Sequence, residues 1–546
     1  MEEPKDNLNW EQNKAIEVEG KLPELAAHLK KVGRAKQADK VIKEIVDEEI
    51  NTDKLKRKLT EEKEIKETAA LQKKYEKENA GEENELYSLK MEIVSLLAQK
   101  RRGEATEKIV NFVEDNNYLY TTRDDKDSEM WIYQRGIYVP QGKSFIKELC
   151  RKKLLQEHYT DHLKNEVISK IEGDTFISQE DFFKNNYIEE IPVQNGILNI
   201  KTKTLFPFNP KKIFFNKLPV KYNPEAKCPS ILKHFQDTLK KSEDAEVMFE
   251  VFGFFLYKDY FIEKAIMFVG DGRNGKGKTI DLMKRFLGMD NCSSVPLNIL
   301  SDGGFRVWDL FGKMANLAGD LSSNALKDTS ILKQTTGRDL IGADRKRKST
   351  VNFVNYSKHV FACNDLPRVY DFSRGFWERW ILFEFPYTFL KEELYTSLSE
   401  EEKKKKRIMD VFIIDKLTTE EELSGLLNEA IKGLHRLLKK KDFSYSVGIE
   451  EIKQFWVRKS DSFTAFSMDH LEEGYDKSIP KPKLRKAFSK YCREHKIRGA
   501  SDKNIKVVVE EMFGATETQS WETKERIWEG IKFKSNSKYQ YMEENI

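Results

Sequence analysis

The stretch that most constrains this chain lies between Gly270 and Thr279 and has the sequence "GDGRNGKGKT". It follows the short apolar run "KAIMFVG", which predicts a buried strand, and precedes "TIDLMKRFLG", whose apolar residues recur at helical spacing. A glycine-rich loop between a strand and a helix lets successive backbone N–H groups point toward a bound phosphate. The order strand, loop, helix therefore predicts a nucleotide-binding α/β domain, and the helix is expected to stop at Gly288.

Two alignments of this loop with the phosphate-binding pattern compete. The literal pattern is GxxxxGK followed by Ser or Thr, and here it selects Gly272, Gly277, Lys278 and Thr279. In this register Lys278 contacts the phosphates, and the hydroxyl of Thr279 is offered to Mg²⁺.

The second register places the first glycine, Gly270, directly at the end of the strand, where the geometry prefers it. Lys276 then holds the phosphates, and Gly277 supplies no hydroxyl to a metal. The strand end and the helix spacing favour this register, but both stay open at the sequence level. Across the two registers the nucleotide-binding residues are Gly270, Gly272, Arg273, Asn274, Gly275, Lys276, Gly277, Lys278 and Thr279.

Polar residues follow three further apolar runs. "GKMANLAGDLSS" predicts a strand with Asp320 at its tip, where an acid is suited to a nucleotide's Mg²⁺. "SKHVFACNDLP" predicts a strand that ends at Asn364, an amide suited to orient the attacking water. "SRGFWERWILFEFP" puts Arg374 and Arg379 before another strand, from which an arginine can reach a nucleotide on an adjacent subunit.

A basic hairpin is predicted between the first and second of these strands, in "LKQTTGRDLIGADRKRKSTVNF". A run of charges is ordinarily a solvated surface, but beside a nucleotide-binding core it suits contact with nucleic-acid phosphates. The residues predicted to contact DNA are Lys333, Arg338, Arg345, Lys346, Arg347 and Lys348.

Composition bounds the remaining possibilities. The 546 residues carry 95 Lys and Arg against 91 Asp and Glu, a net charge of +4, so any basic surface must be local. We expect no membrane span, no signal peptide and a cytoplasmic protein. The five cysteines form no CxxC pair, so we expect neither a zinc finger nor a disulfide framework.

The motifs in this order resemble the superfamily 3 helicases, in particular the poxvirus-type and phage-type primase-helicases and their relatives on archaeal viruses and plasmids. The resemblance rests on "GDGRNGKG", "ANLAGDLS", "LKDTSILKQTTGRDLIGADRK", "FACNDLP" and "FSRGFWERWILFEFP". "VQNGILNIKTKTLFPFNP" and "LPVKYNPEAKCPS" are similar to the small domain that precedes the helicase core. The similarity extends from about Glu104 to Lys534.

The family implies an AAA+-type ATPase core that assembles as a ring, usually a hexamer, with ATP and Mg²⁺ sites between subunits. It implies that the ring unwinds forked DNA while single-stranded DNA passes through a central channel. The ring is normally expected to track 3′ to 5′ on that strand. By resemblance, Lys276 or Lys278 is the phosphate lysine, Asp320 the magnesium ligand and Asn364 the polar sensor. Arg379 matches the arginine acting in trans, and Lys346 and Lys348 lie on the channel hairpin.

Departures from the family pattern are also visible. Leu321 follows Asp320 where many relatives have a second acid, which leaves the general base open, and Glu378 precedes Arg379 where many relatives have paired arginines. The first hundred residues carry no set of acids for primer synthesis. We therefore expect this chain not to make primers and to act with a separate primase or polymerase.

The predicted fold is an α/β AAA+-type P-loop ATPase core flanked by smaller parts. The predicted divisions are a charged helical N-terminal region 1–103, a small α+β domain 104–230, the superfamily 3 helicase core 231–390, a helical linker 391–447 and a C-terminal winged-helix module 448–546. The predicted function is ATP-dependent DNA unwinding during replication of a virus or plasmid. The alternative is a DNA-binding initiator or scaffold that uses nucleotide mainly to assemble the ring.

Overall fold

The structure is a computed structural model that divides into two compact units. One unit contains the described residues 86–112 and 146–167, and the other contains the rest. The described residues are 86–123, 128–154, 158–184, 187–302, 304–319, 326, 328–343, 351–369, 371, 373–495, 497, 499–521 and 523–540. Most of the charged N-terminal region, Asp320 and the basic residues Arg345–Lys348 therefore lie outside the described part.

The first unit is helical. It contains α1 (86–98), most of α2 (Arg102–Asn116) and the start of α4 (Asp161–Asp174). The end of α3 (Gly142–Glu148) and a π-helical turn at Leu149–Leu154 also belong to it. Among the residues that the structure describes, no helix is both long and apolar enough to cross a bilayer.

In the second unit, two small sheets precede the central one. The first has the order β3-β2-β1-β4, and the second, β5-β6-β7, is antiparallel. Aromatic residues pack against the first sheet, and the ring centroid of Trp131 lies 5.3 Å from that of Phe182. These elements are β1 (Leu119–Thr122), β2 (Glu129–Gln134), β3 (Ile137–Val139), β4 (Phe176–Ile177), α5 (Gln179–Phe183), β5 (Glu190–Val193), β6 (Gly196–Asn199) and β7 (Leu205–Phe206).

A parallel sheet of five strands forms the centre, in the order β14-β8-β13-β10-β9. Every residue of β8, β10 and β13 is buried, as expected for parallel strands covered on both faces. The strands are β8 (Ala265–Val269), β9 (Cys292–Ser293), β10 (Ala315–Ala318), β13 (Lys358–Cys363) and β14 (Trp380–Glu384). The helices around them are α6 (Pro229–Thr238), α7 (Asp244–Leu256), α8 (Lys276–Leu287), α9 (Leu297–Asp302), α10 (Ser330–Thr336) and α11 (Arg374–Trp377).

Between these elements, β11 (Leu340–Ala343) pairs antiparallel with β12 (Val351–Val354) and forms the predicted hairpin. Ile341, Ala343 and Phe353 bury one face of it. Residues 344–350, between the two strands, lie outside the described part. Short 3₁₀ turns occupy Met289–Asn291 and Gly304–Leu310.

The segment after β14, which the sequence predicted to be a helical linker, also contains strands. A parallel strand pair, β15 (Thr388–Leu390) and β16 (Lys406–Ile408), encloses the short helices α12 (Glu392–Thr396) and α13 (Glu400–Lys403). After α14 (Ile413–Leu417), the long helix α15 (Glu420–Lys440) packs on α7. Glycines allow this contact, because a Cβ at Gly253 would lie 2.3 Å from the carbonyl oxygen of Ala430.

The C-terminal part begins with α16 (Ile449–Ser460) and has its own core. Its antiparallel sheet has the order β17-β19-β18, and Phe466 and Phe488 are buried together with Trp528 of β19. The elements after α16 are α17 (Ser462–His470), β17 (Leu471–Pro480), α18 (Lys481–His495), α19 (Asp502–Phe513), β18 (Thr516–Gln519) and β19 (Arg526–Phe533).

Candidate nucleotide site

Two glycines of the loop after β8 occupy positions that exclude a side chain. A Cβ at Gly270 would lie 2.2 Å from the side-chain nitrogen of Asn274 and 2.5 Å from the carbonyl oxygen of Phe385. Gly275 has φ +92°, and a Cβ there would lie 2.7 Å from Thr238. Only glycine adopts this backbone without strain, so Gly270 and Gly275 are required for the shape of the loop.

The other two glycines meet no such restriction. A Cβ at Gly272 or Gly277 would have no atom within 4 Å beyond its immediate neighbours. Glycine is therefore sterically required at Gly270 and Gly275, which belong to the register with Lys276, and not at Gly272 or Gly277. Helix α8 begins at Lys276, with Gly275 at its N-cap, so its first N–H groups face the loop.

The side chain of Lys276 is buried beneath the loop and held by oxygen atoms. Its Nζ donates to the carbonyl oxygen of Gly270, to Oδ1 of Asn274 at 3.2 Å and to Oδ1 of Asn364 at 3.1 Å. A buried ammonium needs such partners, because burial removes its hydration. Phosphate oxygens are equivalent acceptors, so this ammonium is placed to exchange protein oxygens for those of an anion.

Lys278 and Thr279 face away from this cluster. Lys278 is exposed. Thr279 is fully buried, and its hydroxyl bonds to Nε2 of His234 at 3.0 Å and to the carbonyl oxygen of Gly275 at 3.2 Å. Burial lowers the pKa of His234 to about 4, so the ring is neutral at pH 7. This pairing with α6 disfavours the register in which Thr279 contacts Mg²⁺.

Asn364 follows β13, the strand next to β8, and therefore stands at the same carboxyl edge of the sheet as the loop. Strand β10 lies on the other side of β13 and ends at Ala318. Asp320 comes two residues later, outside the described part, and its position stays a prediction. Among the described side chains, no group of three or more His, Cys, Asp or Glu is arranged to hold a metal ion.

Arg379 lies at the opposite edge of the sheet. Its carbonyl oxygen accepts from the N–H of Ala265, the first residue of β8, at 2.6 Å. Because a strand rises about 3.3 Å per residue, β8 separates this edge from the loop by roughly 16 Å. Its guanidinium donates to Thr336 at 2.9 Å and pairs with Glu263 at 2.5 Å. Arg379 is thus remote from the loop of its own chain.

The described basic residues of the hairpin region are paired within the chain. Lys333 contacts Asp371 at 2.6 Å and Ser373 at 3.0 Å, and Arg338 pairs with Asp259. Burial opposes ionisation of Asp371, but hydrogen bonds from Lys333 and from neighbouring hydroxyls outweigh it and lower the pKa of that carboxyl. Contacts of Arg345, Lys346, Arg347 and Lys348 lie outside the described part.

Sequence reasoning missed the segment after β14 that borders the loop. The N–H of Phe389 donates to the carbonyl oxygen of Arg273 at 2.8 Å, and the side chain of Asn274 donates to the carbonyl oxygen of Phe385 at 3.2 Å. His234 was missed as well, because its role depends on α6 reaching α8. No local pattern signals either contact.

The loop and the buried lysine thus lie at one edge of the parallel sheet of a mixed α/β fold. A family described as "D5 N terminal like" matches residues 6–240, and a family of unknown function, DUF5906, matches residues 268–378. These two matches support the resemblance to the phage-type and viral primase-helicases that the motifs carry, and each covers less than half of the chain. A comparison with curated proteins found no significant match.

The solved structures that match this chain share little sequence with it. An apo structure of the NrS-1 C terminal region is 13% identical, with a TM-score of 0.41, and the match covers 76% of this chain and 96% of that one. The X-ray structure of JCV helicase is 14% identical, with a TM-score of 0.21, over 48% of this chain and 64% of that one. Similarity at these scores does not indicate the activity of this chain.

Proposed function

We propose that this chain is an ATP-dependent DNA helicase that works as a ring, with hexameric assembly as the expected form. The observation that carries the proposal is the convergence of Lys276 and Asn364 at one sheet edge, under a loop whose shape requires Gly270 and Gly275. The ammonium and the helix N–H groups suit the β- and γ-phosphates, and the Asn364 amide suits a water attacking the γ-phosphate. We assign Arg273, Asn274 and Lys276 to nucleotide binding.

We propose that Asp320 holds Mg²⁺ together with phosphate oxygens and water. Mg²⁺ commonly binds through one or two carboxylates plus substrate phosphates, so a single acid is sufficient here. When bound, the ion neutralises charge that develops on the phosphate oxygens. Thr279 is not part of this assignment, because its hydroxyl is bonded to His234.

The remote position of Arg379 supports a site shared between subunits. An arginine about one strand length from its own loop serves catalysis only when a second copy brings its loop to that edge. Bonds to Glu263 and Thr336 keep the guanidinium ordered, and 13% of the Arg379 side chain is exposed in the single chain. On this proposal the oligomer is required for hydrolysis.

We assign DNA contact to the β11–β12 hairpin and to the basic residues between its strands, and origin or loading contacts to the C-terminal part. The order helix, strand, two helices and two strands, with sheet order β17-β19-β18, is the order expected of a winged helix. Primer synthesis is assigned to a separate primase or polymerase.

The test is strand separation by the purified full-length protein on forked DNA of both polarities, with ATP and Mg²⁺. We expect displacement that depends on ATP and on a 3′ single-stranded tail. Hydrolysis that DNA stimulates, without displacement on either fork, would instead support the initiator or scaffold function. A chain that hydrolyses no ATP under any of these conditions would contradict the proposal entirely.

A further inference from the structure

Helix α18 of the C-terminal part carries basic residues along its outer face. Its inner face, which includes Leu484 and Phe488, is buried in the core of this part. The outer face bears four cations spaced three or four positions apart, which we call the α18 basic stripe: Lys483, Lys486, Lys490 and Arg493. Three of them are exposed, and Lys483 is partly exposed. Residues at this spacing lie on one side of a helix that rises 1.5 Å per residue, so the stripe is roughly 15 Å long.

The acids close to α18 are bonded at the margins of the helix. Glu494, the one acid in the sequence of this helix, pairs with Lys538 and accepts from the hydroxyl of Tyr539 at 3.0 Å. Arg485, on another side of the helix, pairs with Asp502. The stripe is therefore a surface of one charge sign on a helix that the core of this part holds in place.

Helix α19 occupies the position of a recognition helix but has a different charge. In helix-turn-helix proteins the second helix of the pair lies in the major groove, and here that helix is α19, which follows α18. Its exposed charged residues are two cations and three acids: Asp502, Lys503, Lys506, Glu510 and Glu511. Lys506 also pairs with Glu510 at 3.7 Å. This face is thus slightly acidic and is poorly suited to contact with DNA phosphates.

The N-terminal end of α19 is also bonded to the helicase core. In the amide orientation that satisfies its hydrogen bonds, the side-chain oxygen of Asn504 accepts from both terminal nitrogens of Arg368 at 3.1 Å. Arg368 lies in the segment after β13, and it pairs with Asp461, the N-cap of α17, at 3.0 Å. Recognition helices contact base edges with their N-terminal residues. In this chain that end is engaged by the core, whereas the α18 basic stripe faces solvent.

We propose that the α18 basic stripe binds the phosphate backbone of duplex DNA and that α19 does not enter the major groove. The inference rests on the proposed function, because it takes the chain to work on DNA. Phosphate contacts position a protein on DNA but carry no sequence information. The C-terminal part therefore binds duplex DNA of any sequence, which suits loading and movement along DNA rather than recognition of an origin sequence.

The experiment measures binding of the full-length protein to a blunt DNA duplex by fluorescence anisotropy, over about 50–200 mM salt. We expect the double variant Lys486→Ala/Arg493→Ala to weaken binding about tenfold or more at low salt. The slope of log K against log salt should fall by about 1.8, because each phosphate contact contributes about 0.9. Lys503→Ala/Lys506→Ala removes the same charge from α19 and is the matched control, which should bind within about twofold of wild type.

Further measurements test the kind of contact. The wild-type protein should bind duplexes of unrelated sequence equally well, and a preference for one sequence that the α19 variant loses would overturn the proposal. Equal weakening by the two double variants would also overturn it, because that result reports overall charge rather than a surface on α18. Both variants change only exposed side chains and should unfold at the wild-type temperature. If the α18 variant instead loses oligomer mass in light scattering without DNA, the stripe binds another subunit and the proposal is wrong.

The outcomes separate this inference from the proposed function. If the wild-type protein separates forked DNA while the α18 variant binds the duplex as tightly as wild type, only the assignment of α18 is wrong. If the wild-type protein separates no strands but the α18 variant alone loses duplex binding, the helicase function is wrong and the assignment of α18 stands.

Discussion

The ammonium of Lys276 and the side-chain oxygen of Asn364 lie 3.1 Å apart, although 88 positions separate them in the sequence. The contact exists because β8 and β13 are neighbours in the parallel sheet and both end at the same edge. It joins the group expected to bind phosphate to the group expected to place water. Lys278, only two residues along, is exposed and has no part in it.

The choice of lysine is tested by paired substitutions. We expect Lys276→Ala to reduce ATP hydrolysis about 100-fold or more, as for the loss of a preorganised charge at the transferring phosphoryl group. Lys278→Ala is the matched control and should retain hydrolysis within about threefold, because its side chain points to solvent. Phosphate release at saturating ATP measures both. The reverse result would establish the register that uses Thr279.

The shape of the loop is tested by two glycine substitutions. Gly275→Ala should lower the free energy of unfolding by about 1–2 kcal/mol or more, since an L-residue is strained at φ +92° and its Cβ meets Thr238. Gly277→Ala should raise it by up to about 1 kcal/mol, since it lies in the first turn of α8 with open space around it. Urea unfolding gives both values. Equal effects of the two changes would contradict the assigned loop geometry.

Sharing of the site between subunits is tested by mixing two inactive variants. Arg379→Ala and Lys276→Ala should each abolish hydrolysis, because each lacks one half of the composite site. Co-assembly of equal amounts should restore about one quarter of the wild-type rate, the fraction of interfaces that pair an intact lysine with an intact arginine. Rates of the mixture after subunit exchange provide the measurement. If verified mixed oligomers recover no hydrolysis, the group that acts in trans is a residue other than Arg379.

The His234–Thr279 contact predicts a pH dependence of stability. Burial lowers the pKa of His234 from 6.5 to about 4, so its stabilising contribution is present above pH 6.5 and is lost as the pH falls toward 4. Between pH 7 and pH 5 this group should therefore reduce the free energy of unfolding by about 2 kcal/mol.

The measurement is urea unfolding of wild type and His234→Gln at the two pH values. The glutamine amide can still bond to Thr279 but does not titrate, so the variant should lose about 2 kcal/mol less than wild type on acidification. An equal loss in both proteins would show that other groups carry the pH dependence.

Short-range sequence patterns were sufficient to predict several elements of this fold. The apolar run before Gly270 predicted the central strand β8. Gly288, with φ +89°, ends α8 where the periodicity stops. Each of these features is set by residues within a few positions of one another, and so the sequence expresses it directly.

The sequence alone determined the strand, loop and helix around Gly270, the order of the elements and the family resemblance. The tertiary structure decided that Lys276 meets Asn364, that Thr279 turns toward His234, and that Arg379 stands at the far edge of the sheet. It also decided that α16 borders the loop through Phe455. These relationships depend on the order of strands in the sheet and on helix packing, which bring distant residues together through burial and hydrogen bonding that no local pattern encodes.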